Sequence, residues 1–86
     1  MNPGYSLVAD QQLDDLLASG RLDLYDDLVA VCEFILDHPT KAQRWSSAIT
    51  THHGIRFRYA VPGWAPYKVF WASDGPTVEA VFPYPT

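Results

Sequence analysis

The apolar period of this chain changes at Pro39, and that change limits what it can fold into. Before Pro39, Leu24, Leu28, Val31, Ile35 and Leu36 recur at helical spacing. After it the pattern alternates, as in "GIRFRYAV", where Ile55, Phe57 and Tyr59 interleave with Arg56, Arg58 and Ala60. A chain that is helical first and strand-forming second predicts an α+β fold, a small antiparallel sheet with a two-helix hairpin on one face. Its 86 residues supply one core and therefore one domain, 1–86, so any site must lie on that core's surface.

The individual elements follow from local signals. "YSLVA", residues 5–9, alternates and reads as a short strand. Asp10 is the expected N-cap of a first helix carrying Leu13, Leu16 and Leu17, with Ser19-Gly20 as its stop. Asp23 is the expected cap of a second helix, with Asp26 and Asp27 near the positive end of its dipole, and Pro39 ends it near His38. "RWSSAITTHHG" reads either as a strand or as an irregular lead-in. "YKVFWAS" and "TVEAVFPY" read as strands, with "PGWAP" and Asp74-Gly75 as turns. The expected order is β-α-α-β-β-β. The first strand should join the same sheet, because a strand left alone has unpaired backbone groups.

Charge is distributed by halves. Residues 1–40 carry eight acids against Arg21, and residues 41–86 carry five bases against Asp74 and Glu79, a balance of −7 and +3. A polyanion is repelled by the first half and attracted by the second, so sidedness rather than the total of −4 governs binding. The single cysteine, Cys32, allows no intrachain disulfide and no cysteine-based zinc cluster, and its mid-helix position suits a small buried apolar residue. "MNPGYSLVAD" has no basic region followed by an apolar core, and no apolar run approaches the ~20 residues of a spanning helix. Location in the cytoplasm, without membrane insertion, is the expectation.

The alternation places Arg56 and Arg58 on one side of their strand and Ile55, Phe57 and Tyr59 on the other. If the apolar row faces the helices, the two guanidinium groups lie on the open face, and antiparallel pairing brings Lys68 alongside. Three cations on one sheet face suit phosphate. The segment "IRFRYAVPGWAPYKVFWASDGPTVEAV" resembles the RelE/ParE superfamily of type II toxin-antitoxin toxins, and nearly the whole chain follows that family's element order. Arg56 and Arg58 match the two basic residues of the family's basic-alternating strand, and Lys68 in "YKVFW" matches the basic residue of the next.

The resemblance implies a ribosome-dependent, metal-independent mRNA endonuclease without a cofactor, in which such residues bind and polarise mRNA in the ribosomal A site. Attack of a ribose 2′-hydroxyl on the adjacent phosphate needs a base, cations for the phosphorane charge and an acid for the leaving oxygen. Arg56, Arg58 and Lys68 fit the cationic role; for proton transfer the sequence offers Tyr84 in the segment "FPYPT", Tyr67, Tyr59 and the pair His52-His53, and Tyr84 is the one that stands where the family carries its late residue. The implied partners are a cognate antitoxin, in a heterotetramer or larger complex, and ribosome-bound mRNA. The family's ribonucleases are strongly basic and carry a late basic residue; this chain is acidic and lacks one. That departure motivates an alternative, a non-enzymatic ParE-like gyrase inhibitor or an inactive RelE-fold binding protein.

Four further residues are candidate RNA contacts. Arg44 belongs to the basic half. Trp64, in the turn "PGWAP", is expected at the surface, where aromatic side chains near cations stack bases, while Trp71 is expected in the core. His52 and His53 precede a glycine and read either as exposed turn residues or as imidazoles titrating near neutrality.

Overall fold

In the computed structural model, which describes residues 4–83, Ser6 rather than Asp10 opens the first helix, α1 (Leu7–Ala18). The Ser6 Oγ accepts a hydrogen bond from the Ala9 N–H at 3.0 Å, satisfying one of the amides a helix start leaves unpaired. The strand expected over residues 5–9 is therefore helical from Leu7 onward. Five residues are too few to separate a period of two from one of 3.6, and Ala9 belongs to a helical face with Gln12, Leu13 and Leu16 that is buried. What remains of the expected strand is one parallel bridge between Tyr5 and Val78.

Gly20, at a φ of +79°, ends α1. Its N–H bonds the Leu17 carbonyl and the Arg21 N–H bonds that of Leu16, the pairing that a left-handed residue after a helix allows. The second helix, α2 (Leu22–Asp37), stops before Pro39 as expected, although Asp23 falls within its first turn and Arg21 precedes it without a capping bond. A third short helix, α3 (Pro39–Arg44), was not foreseen. It starts on proline, whose missing N–H would be unpaired at that position anyway.

The ambiguous segment resolves as a strand, β1 (Ser46–Thr51), followed by β2 (Gly54–Ala60), β3 (Lys68–Ala72) and β4 (Thr77–Phe82). These form one antiparallel sheet in the order β1-β2-β3-β4. The observed order is thus α-α-α-β-β-β-β. The α+β class holds; among the described residues the N-terminal strand gives way to helix, α3 is added, and the ambiguous segment supplies a fourth strand. Between β3 and β4 the register shifts: Phe70 faces Ala80 while Trp71 faces Val78, so Glu79 bulges out of the ladder. The extra residue lets Val78 and Val81, three apart, both point into the core, where each is fully buried.

Helices α1 and α2 pack on β3 and β4, and α3 packs on β1. Leu16, Leu24, Leu28, Ile35, Cys32, Val69 and Trp71 fill the space between the layers. Trp71 has no exposed surface, packs on Phe57 at 4.9 Å between ring centres, and donates its indole N–H to Ser46 Oγ at 3.1 Å. Among the described residues, no helix is long and apolar enough to cross a membrane.

Candidate functional site

The face of β2 that meets the helices fixes the position of the cations. Phe57 lies on Trp71, and Tyr59 meets Phe34 of α2 edge-on at 5.9 Å, so the apolar row points inward. Alternation then sends Arg56 and Arg58 to the open face. Pairing places Arg58 between Ser47 of β1 and Phe70 of β3, and Lys68 beside Phe82 of β4. Arg58 and Lys68 wall a cavity of about 490 Å³ with Ile49, Pro66, Phe70 and Phe82. Phe70 and Phe82 meet edge-to-face at 5.8 Å, giving the cavity an aromatic floor between two cationic side chains.

Arg56 shares the face and has a different partner. Its Nε donates to Glu79 Oε1 at 2.8 Å, and the pair is largely withdrawn from solvent on the arginine side. The bulge that aligns Val78 and Val81 with the core also leaves Glu79 free to make this contact. Of the three cations expected to act together, two converge on the cavity and the third is neutralised beside it.

The other candidates lie elsewhere. His52 and His53 occupy the exposed turn between β1 and β2, outside the cavity lining. Arg44 is the exposed last residue of α3. Trp64 is half-buried on the helix side, where its indole N–H donates to Asp27 Oδ2 of α2 at 2.5 Å beside Gly20 and Leu24. It is an anchor for the β2–β3 loop rather than a platform on the open face. Next to it, Arg21 donates to the Tyr67 hydroxyl at 3.1 Å. Tyr84 lies outside the described residues.

Sequence reasoning assigned no site role to Phe70, Phe82, Ile49 or Pro66. The signal for Phe70 was present, since it stands two residues after Lys68 on one strand and must share its face. Phe82 and Ile49 needed the register of neighbouring strands.

Cys32, buried beneath Tyr5, has its thiol pushed up to about 12, chiefly by desolvation; at neutral pH it is a protonated core residue and no nucleophile. Burial also raises the Tyr5 hydroxyl. Among the described residues, no group of three or more His, Cys, Asp or Glu has the geometry to hold a metal ion. On the helical layer, Asp10, Asp14, Glu33 and Asp37 rim a groove floored by Leu13, Val29 and Leu36. The acids and the Arg58–Lys68 pair thus belong to opposite layers. Compared with known families, curated proteins and solved structures, the chain matches no family model and has no significant match among the proteins or the structures.

Proposed function

We propose that this protein is a RelE-like toxin that holds single-stranded mRNA on the open face of its sheet and cleaves it on the ribosome without a metal, under the control of an antitoxin that covers the same face. The observation that carries this reading is the convergence of Arg58 and Lys68 on an aromatic-floored cavity. Cations balance phosphate charge and aromatic rings accept bases, the two demands of a single strand. The acidic layer lies on the other side of the sheet, so RNA approaching the open face meets positive charge first. In cleavage, the 2′-oxygen bonds to phosphorus and the P–O5′ bond breaks. Arg58 and Lys68 stabilise the charge gathered on the phosphorane, Tyr84 gives its proton to the leaving 5′-oxygen, and water takes the proton of the 2′-hydroxyl.

A second reading, a non-enzymatic ParE-like inhibitor of gyrase or an inactive binding protein, is favoured by the Arg56–Glu79 pair, which removes one cation from the phosphate-binding set. Induced expression with transcriptome-wide mapping of RNA ends separates the two. Growth arrest with new ends inside translated messages supports the first; arrest with DNA damage and intact messages supports the second. Normal growth with intact messages and intact DNA rejects both toxin readings.

A further inference from the structure

The two edges of the sheet differ in how they are protected. At β4 the outer backbone groups are occupied. The Ser6 N–H bonds the Val78 carbonyl at 2.9 Å and the Val78 N–H bonds the Gly4 carbonyl at 2.7 Å. Ser6 Oγ donates to the Glu79 carbonyl at 2.6 Å. The buried side-chain amide of Gln12 bonds both the N–H and the carbonyl of Val81, at 2.7 and 3.0 Å. At β1, among the described residues, no strand pairs on the outer side.

The sequence of β1 lacks the devices that keep an edge single. "SSAITT" carries no charge and no proline, and its register with β2 runs unbroken from Ser46–Tyr59 to Thr51–Gly54, without a bulge. Exposed apolar surface flanks it: Trp45, immediately before the strand, is 74% exposed, and Ile55, across the hairpin, is 59% exposed.

We propose that β1 pairs antiparallel with β1 of a second copy of this chain, joining two sheets into one. The strand is self-complementary. A two-fold axis through Ile49 sets Ile49 opposite Ile49, Ser47 opposite Thr51 and Ala48 opposite Thr50, which keeps each residue on its own face and pairs only uncharged side chains along the strand. The charge distribution favours a copy of the chain as the occupant. The acidic helices α1 and α2 pack on β3 and β4, at the far end of the sheet, so two copies meeting at β1 hold their negative layers apart. Arg56, the open-face cation that pairs with Ile49 at the axis, reaches away from β1 to Glu79 of β4 and is neutralised there. Because Ile49 walls the Arg58–Lys68 cavity, the two cavities of the dimer lie on one continuous surface.

Sedimentation velocity of the full chain over a dilution series tests this. A reversible monomer–dimer equilibrium is expected. The double variant Ala48→Lys/Thr50→Lys changes two exposed side chains and sets lysine opposite lysine across the axis. It should keep its circular dichroism and melting point while its dissociation constant rises by about tenfold or more. Hydrogen exchange on the wild type gives a readout without substitution, since protection of β1 amides should rise with protein concentration while that of β4 stays constant. A wild type that stays monomeric at every concentration overturns the proposal. So does a dimer unchanged by the two lysines, or an edge that accepts an extended peptide of another protein but not a second copy.

Discussion

At the scale of single residues, neighbouring positions of one type have unlike roles. Arg56 and Arg58 stand two apart on β2, yet Arg58 is exposed at the cavity and Arg56 is held by Glu79. Arg58→Ala and Lys68→Ala should therefore each weaken RNA binding and toxicity with unchanged melting points, whereas Arg56→Ala should cost about 1 kcal/mol of stability and less toxicity. Growth assays beside thermal melts measure both effects. Tyr84→Phe deletes one hydroxyl and should abolish cleavage while leaving RNA affinity intact; cleavage at the wild-type rate would remove Tyr84 from the mechanism. Gln12 is the polar exception on the buried face of α1. Gln12→Ala strands two backbone groups of Val81 and should cost about 2–3 kcal/mol in urea unfolding. The raised Cys32 thiol gives a pH signature. The folded chain holds this proton more tightly than the unfolded one, so the associated stability is complete below about pH 9 and is lost as pH rises toward 12. Tyr5 acts in the same direction. Melting points recorded from pH 7 to 11 should fall only in the alkaline half, and Cys32→Ser should flatten that fall.

At the scale of elements, α2 is the main support of the sheet. Leu28 and Ile35 are fully buried, so replacing either by Ala should destabilise the domain by about 2–5 kcal/mol, while Leu17→Ala on α1, at a position 47% exposed, should stay within about 0.5 kcal/mol. Chemical denaturation of the three variants checks the ranking. The β2–β3 loop links this layer to the site. Trp64 ties it to Asp27 and Tyr67 ties it to Arg21, while Pro66 between them walls the cavity. The loop's shape on the open face is therefore set by contacts on the helical side. Helix α2, the β2 alternation and the Asp74-Gly75 turn were legible because each depends on a period or a turn signal within a few residues. The N-terminal strand was misread because Tyr5 to Ala9 suits either period, and only the capping bond of Ser6 decides for the helix.

At the scale of the whole molecule, the charge asymmetry of the two halves becomes an asymmetry of layers. The helical layer carries the acids, and the open sheet face carries Arg58 and Lys68. Binding of single-stranded RNA should weaken with salt, the slope of log affinity against log salt being about −1.4 if two phosphates are neutralised, and it should shrink by about half in Arg58→Ala or Lys68→Ala. Fluorescence titrations at several ionic strengths measure this. An unchanged slope in both variants would show that the phosphates sit elsewhere.

The sequence by itself determined the α+β class, the length of the main helix, the alternation of β2 and the charge difference between the two halves, because each is a consequence of local period or composition. The tertiary structure alone decided the bulge at Glu79, which sets Val78 and Val81 on one face, and the pairing of Arg56 with Glu79, which lies 23 positions away. It also decided the bonds of Gln12 to Val81 across 69 positions and of Trp64 to Asp27 across 37. These contacts depend on strand register and on which helix covers which strand. Both are fixed by packing summed over the whole core, and no window of neighbouring residues carries that sum.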